Sequence, residues 1–348
     1  MKILLIGGGT GGHILPLVPL ARELKSKKVT VELVVADAPL DRVLAEQNFK
    51  NIPIHYFRTD KIRRYLSIKN LLAPFTILTS IHRARRFLQK IKPDAIFFKG
   101  GFVGFPFLIV ARLNFRAITL FSHESDISAG ALTKLAKKWC HHTFASFGTP
   151  PAPLYFSPDG KVTPGASLKK TEKPQLLVLG GSLGAQWINN AVEKECHDIC
   201  KNFDVFLISG KNKKIECNDK NFRQIELLPA LDLAKELHGA DLILSRAGAN
   251  SLFEIIAAKK PSVIVPLPSA ARDHQRKNAE WFVKKGLCHV LEQDSNETLL
   301  NALLKAQNDT VMTSNLKKST LKNAAPEIAE IIINTLKQKP SAVSHTNT

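Results

Sequence analysis

No stretch of the 348-residue chain holds the 18 or more consecutive apolar residues that a membrane-spanning helix needs. The longest apolar run, Phe102 to Ala111, is interrupted by Gly104 and Pro106 and stops at Arg112, which suits a buried helix. The start of the chain lacks the basic region, apolar region and small-residue cleavage site of a secretory signal, so a cytosolic location is expected. Cysteine is scarce: Cys140, Cys196, Cys200, Cys217 and Cys288 are odd in number and scattered, which does not suit a disulfide framework, and they are expected to be reduced and structural. The run Cys196-His197-Asp198-Ile199-Cys200 invites a metal site, but four ligands at zinc spacing are not at hand around it, and none is expected. Asp-x-Asp pairs, which would hold a divalent ion against a nucleotide diphosphate, are also missing. No helix-turn-helix or RRM signature appears, which argues against a nucleic-acid partner.

Acids are missing from one place in particular. Between Lys61 and Lys92 there are nine Lys/Arg and no Asp or Glu, interleaved with apolar residues such as Leu78, Ile81 and Phe87. The imbalance extends to the whole first half: residues 1–150 hold 23 basic and 9 acidic residues, a net +14, whereas the remainder is only +5. An anionic partner is implied, and basic heads alternating with apolar stems suit an anionic membrane surface.

What the chain has is a repeated alternation of short Val/Ile/Leu-rich runs with helix-length amphipathic segments, the signature of βαβ units around a parallel sheet. Two series are visible. Strands are expected near 2–6, 30–36, 51–57, 94–98, 116–122 and 142–146, then near 175–179, 204–209, 224–228, 241–245, 262–266 and 288–292. The proline-rich stretch between them divides the chain into an N-terminal domain over 1–147, a linker over 148–174 and a C-terminal domain over 175–325. A helix over 326–339 and a disordered tail over 340–348 follow.

Glycine turns follow several strands. Gly7-Gly8-Gly9-Thr10-Gly11-Gly12-His13 closes the first, and Gly180-Gly181-Ser182-Leu183-Gly184 opens the second series in the same way. Such turns expose backbone N–H groups at a helix start and favour an anion. The first is not a nucleoside-triphosphate loop, because His13 stands where that site needs Lys-Ser/Thr. It also fits the dinucleotide pattern G-x-G-x-x-G, with Asp37 at the end of the next strand as a ribose ligand, although a strand-end cap is the plainer role for Asp37. Lys99-Gly100-Gly101-Phe102 is a third turn, and Arg246-Ala247-Gly248-Ala249-Asn250 opens a helix that carries Glu254. Arg246 is suited to phosphate and Glu254 to ribose hydroxyls. In open α/β sheets ligands bind beyond the carboxyl ends of the strands, so these loops are expected to line a cleft.

In order and spacing, Gly8–His13, Lys99–Val103, His123-Glu124-Ser125-Asp126, Gly180–Ala185, Ser245–Asn250 and Gln275 with Asn278-Ala279 resemble the MurG family of peptidoglycan N-acetylglucosaminyltransferases. The resemblance spans roughly residues 1–290, and is strongest to the branch that carries His-Glu-Ser-Asp, common in Gram-positive bacteria. It implies an α/β GT-B fold of two Rossmann-like lobes facing a central cleft. It implies inverting transfer from UDP-GlcNAc to the 4-hydroxyl of MurNAc in undecaprenyl-pyrophosphoryl-MurNAc-pentapeptide, with no metal and no other cofactor. It further implies a peripheral place on the cytoplasmic face of the membrane, with cell-wall synthesis and division proteins as partners.

Carried over by position, Thr10, Gly11, Gly12, Ser182, Ala249, Asn250, Ser251, Leu252, Phe253, Glu254 and Gln275 match donor-site residues, with Arg246 beside them. Gly100, Gly101 and Phe102 match the acceptor side, although Phe102 equally suits the core. Asp126 stands where other branches have a sugar-contacting Asn. Where the family has a phosphate-contacting Arg after Gly-x-Pro, this chain has Gly165-Ala166-Ser167-Leu168, and Lys169 is the nearest counterpart. His13, at a helix start, is the candidate general base. Glu124 and Asp126 complete the candidate catalytic set, with loop orientation an alternative role for Glu124.

Overall fold

The computed structural model describes residues 1–58, 68–128, 130–157, 172–180, 184–211, 213–268 and 273–338. The chain forms two compact units: Met1–Glu124 with Gly130–Phe144 and the segment from Ala324, and Ser125–Ala129 with Ala145–Asn323.

The first unit contains, in order, β1 (Lys2–Ile6), α1 (Gly11–Ile14), α2 (Leu17–Ser26), β2 (Thr30–Ala36), α3 (Pro39–Asn48), β3 (Ile54–Phe57), α4 (Ile68–Ile91), β4 (Ala95–Phe98), α5 (Gly104–Asn114), β5 (Thr119–Glu124), α6 (Ala131–Trp139) and β6 (His142–Ala145). Its sheet has the order β3-β2-β1-β4-β5-β6, with parallel pairing from β3 through β5. Both faces of the central strands are covered, so Ile3 to Ile6 and Ala95 to Phe98 are continuous apolar runs at 0–1% exposure rather than alternating ones. Pro16 separates α1 from α2, since it has no N–H to continue the first helix.

The second unit repeats the plan with β7 (Gln175–Leu179), α7 (Gln186–Lys194), α8 (Cys196–Asn202), β8 (Asp204–Ile208), β9 (Phe222–Ile225), α9 (Ala230–Gly239), β10 (Leu242–Arg246), α10 (Ala249–Ala257), β11 (Ser262–Val265), α11 (His274–Val283), β12 (His289–Val290), α12 (Leu299–Gln307) and α13 (Thr310–Lys318). The all-parallel order β12-β11-β10-β7-β8-β9 is, numbered within the unit, the same as the first. In each sheet the order reverses direction between its two central strands, β1 and β4 or β7 and β10. That reversal is where doubly wound sheets bind ligands.

Two segments depart from the sequence-based division. Within the stretch expected to be a linker, Leu154, Tyr155 and Phe156 are buried in the second unit, and Phe147 packs on Phe253 and Trp281. Hydrophobic burial governs Leu154 to Phe156. The last helix, α14 (Ala325–Gln338), returns to the first unit and lays its Ile328, Ala329 and Ile332 face against α2.

The cysteine expectation is corrected. Cys196 and Cys217 are joined as a disulfide, because the connection between β8 and β9 folds back onto α8; Cys140, Cys200 and Cys288 are free.

Candidate functional site

In the first unit the glycine turn after β1 and the turn after β4 meet around one imidazole. His13 Nδ1 lies 3.0 Å from the Gly8 carbonyl oxygen and 3.4 Å from Thr10 Oγ1. A carbonyl oxygen only accepts, so Nδ1 carries the proton and Nε2 carries the lone pair of the neutral ring. The ring lies against Gly100, whose φ is +107°; a Cβ there would stand 3.2 Å from Nε2 and 3.1 Å from Cδ2. Gly100 therefore serves both a left-handed backbone and the seat of the histidine. Gly9, at φ +89°, donates its N–H to both carboxylate oxygens of Asp41, at 3.0 and 3.1 Å. Asp41 is buried, and burial raises its pKa despite the Gly9 hydrogen bond. Nothing in the sequence marked Asp41, which reads as an ordinary first-turn acid of α3.

Phe102 packs on the first unit's core and lies under Gly9, whose Cβ position is 3.0 Å from its ring. Glu124 accepts from the Gly130 N–H at 2.8 Å, bridging the ends of the loop between β5 and α6. Asp37 is taken up by Arg42 and Arg58, at 2.6 and 2.8 Å, and the hydrogen bond from Arg42, then that from Arg58, holds its carboxyl below the usual range. Pairing with two arginines is its observed role, which leaves a dinucleotide reading without its ribose ligand.

In the second unit the described candidate donor residues follow the carboxyl ends of the neighbouring strands β10 and β11. Gly248 caps α10, whose first residues Ala249, Asn250 and Ser251 place the helix N-terminus there, while Leu252 and Phe253 are buried and anchor the helix. Glu254 accepts from the Phe156 N–H at 3.3 Å. It keeps some solvent exposure, yet the surrounding protein desolvates it and pushes its pKa up to about 8. Gln275 Oε1 accepts from the Leu267 N–H at 3.0 Å, fixing the amide at the head of α11. Arg246 spends Nη1 on the carbonyls of Val265 and Pro266, at 3.2 and 3.3 Å, and burial lowers its pKa.

The segment around Asp126 belongs to this same unit. Ser125 Oγ donates to Asn250 Oδ1 at 3.0 Å, and the Ile127 N–H donates to Asn278 Oδ1 at 3.0 Å. The buried Asn278 amide donates to Asp126 Oδ1 at 2.8 Å and to the Ala247 carbonyl at 3.2 Å. Asp126, Asn250 and Asn278, distant in sequence, thus share one polar network. Gly11 and Gly12 form the start of α1 in the first unit. Ser182 and Lys169 lie outside the described residues.

Comparison with known proteins identifies the family and the fold. Residues 3–145 match the glycosyltransferase family 28 N-terminal domain, and residues 175–332 match the family 28 C-terminal domain. A relative from Clostridium botulinum (strain 657 / Type Ba4) is 34% identical over 95% of this chain and 98% of its own. One from Clostridium tetani is 33% identical over 95% and 97%. Both carry the name "UDP-N-acetylglucosamine--N-acetylmuramyl-(pentapeptide) pyrophosphoryl-undecaprenol N-acetylglucosamine transferase". Among solved structures, Acinetobacter baumannii MurG superposes with a TM-score of 0.69 at 24% identity, over 96% of this chain and 99% of that one, which establishes the shared GT-B fold. With both halves matched and a third of its residues shared across nearly its whole length, the chain belongs to the family 28 glycosyltransferases, in the MurG group.

Proposed function

We propose that this glycosyltransferase transfers N-acetylglucosamine from UDP-N-acetylglucosamine to the 4-hydroxyl of MurNAc in undecaprenyl-pyrophosphoryl-MurNAc-pentapeptide. The observation that carries the reading is the polar network of Ser125, Asp126, Asn250 and Asn278 at the N-terminus of α10, with Glu254 farther along the same helix and Gln275 at the head of α11, all in one unit. The acceptor oxygen attacks C1 from the face opposite UDP, the C1–O bond to the diphosphate breaks, and the configuration inverts. His13 Nε2 takes the proton of the attacking hydroxyl, since Nδ1 is already protonated by its bond to the Gly8 carbonyl. Glu124 shapes the loop that leads to Asp126 by closing on Gly130.

The departing UDP gathers negative charge. The N-terminal N–H groups of α10 stabilise it, with Ser182 and Lys169 as further phosphate contacts by resemblance. Protein groups meet this need without a metal; Asp-x-Asp ligands are missing from the sequence. Arg246, tied to two carbonyls, has a supporting role at the end of β10.

The lipid tail of the acceptor keeps it in a bilayer, so the enzyme works at the cytoplasmic face as a peripheral protein. Helix α4 supports this, with Leu78 68% exposed and Arg83, Arg85, Arg86 and Lys90 exposed beyond it. No described helix is long and apolar enough to cross a membrane. Cell-wall synthesis and division proteins are further partners of this reading. Calorimetric titration with UDP-GlcNAc tests the donor site: Glu254→Ala is expected to weaken binding by about 1–3 kcal/mol through loss of charged hydrogen bonds. Unchanged affinity would remove Glu254 from the ribose.

A further inference from the structure

Outside the donor and acceptor regions, the second unit assembles three cysteines that no step of glycosyl transfer uses. Cys196 and Cys200 lie one turn apart on α8, so their sulfurs leave the same face of the helix. The connection from β8 to β9 brings Cys217 to that face, and all three sulfurs lie within 4.8 Å of one another. The disulfide between Cys196 and Cys217 accounts for two of them. Cys200 is the third, 1% exposed, with its Sγ 3.9 Å from Cys196 Sγ.

Thiolates about 2.3 Å from a tetrahedral zinc ion stand about 3.8 Å apart, which is the Cys196–Cys200 spacing. The backbone around Cys200 is anchored as well. Its carbonyl accepts from Lys173 Nζ at 2.7 Å and from Asn221 Nδ2 at 3.2 Å. Lys173 places a positive charge beside the cluster and Asp219 and Asp204 negative ones, so that burial first and then Asp219 hold the Cys200 thiol up at about 11, and the dication itself has to stabilise the thiolates. The sequence concealed this site because Cys217 lies 21 residues beyond Cys196 and shares no motif with it.

We propose that Cys196, Cys200 and Cys217, when reduced, bind a thiophilic d10 cation, zinc(II) in the first place, and that the Cys196–Cys217 disulfide is the oxidised form without metal. A dithiol reductant opens the disulfide by giving two electrons and two protons and becomes a disulfide itself. The cation then displaces the three thiol protons and takes three sulfur ligands, with water in the fourth position. Occupancy ties α8 to the connection between β8 and β9. Asn189 holds that connection through the carbonyls of Ser209 and Lys213, beneath Gly184 of the second glycine turn.

The full chain, reduced with a phosphine and freed of it without oxygen, is titrated with cadmium(II) while thiolate-to-metal charge transfer is read in the ultraviolet, and zinc(II) is then used in competition. The expected result is one ion per chain, displaced by zinc. Cys200→Ser and Cys217→Ser should each cost at least the 10–100-fold in affinity that even changes behind the ligands cost. Cys140→Ser and Cys288→Ser should cost nothing. Oxidising the wild-type chain with a diazene thiol oxidant should abolish uptake, and a dithiol should restore it, a comparison that does not depend on any variant folding. Absence of charge transfer in the reduced wild type, or uptake indifferent to Cys217→Ser and to oxidation, overturns the proposal and leaves a plain structural disulfide.

Discussion

His13 is held at both ends of its role: Nδ1 by the Gly8 carbonyl, the ring by the bare Cα of Gly100. Replacing it with alanine is expected to lower turnover by about two to four orders of magnitude while leaving UDP-GlcNAc affinity unchanged, which steady-state kinetics with calorimetry will show. Glu254 makes a second prediction. With its pKa raised from 4.5 to about 8 by desolvation, the free enzyme holds a proton there at neutral pH. Ribose hydroxyls that donate to the carboxylate favour the charged form, so UDP binding releases that proton and tightens as pH rises from about 6 to about 8. Buffer-dependent binding enthalpies measure the release, and Glu254→Gln should abolish it. The same shift works against the fold: stability contributed by this group is complete below 4.5 and is lost as pH rises through about 8. His13, Glu254 and Gln275 were legible because glycine turns and helix starts flag them. Asp41 carried no such flag; Asn278 was flagged beside Gln275, but its reach to Asp126 across 152 residues, like that of Asp41 to Gly9 across 32, is not carried by local pattern.

Among the elements, the two glycine turns of the first sheet fail in a specific way. Gly100→Ala puts a side chain at φ +107° and into the histidine ring, a left-handed placement that costs about 1–2 kcal/mol before the contact is counted. Turnover should fall with UDP affinity retained, read by the same pair of measurements. Helix α4 supports a prediction about location. Reversing Arg83, Arg85 and Arg86 to Glu should abolish co-sedimentation with vesicles containing phosphatidylglycerol, at about 1 kcal/mol for each basic residue near the surface, and leave UDP binding intact. Strands buried on both faces, such as β1, β7 and β11, were readable as apolar runs, and β2 despite its Glu32. The edge strand β9 falls at Phe222–Ile225, two residues before its expected position, because a half-exposed edge has little hydrophobic contrast to fix its ends. Residues 61–67, the first part of the basic stretch, lie outside the described residues, as does the tail after Gln338.

At the scale of the whole molecule, one strand order used twice gives two switch points. In the proposed reading the first unit supplies a base of fixed tautomer, and the second a helix N-terminus, a ribose carboxylate and the Asp126 network. This duplication was visible in the sequence as two runs of strands, each opening on glycines. The course of residues 125–127 into the second unit was not, since nothing local distinguishes a segment that leaves its own sheet for hydrogen bonds elsewhere. The most direct test is a single assay: purified protein with UDP-GlcNAc and a short-chain undecaprenyl-pyrophosphoryl-MurNAc-pentapeptide analogue, in EDTA. The account predicts a β-linked GlcNAc–MurNAc product and free UDP in equal amounts, formed at the same rate with or without the chelator. No disaccharide product, or a product that appears only when a divalent ion is restored, would contradict it.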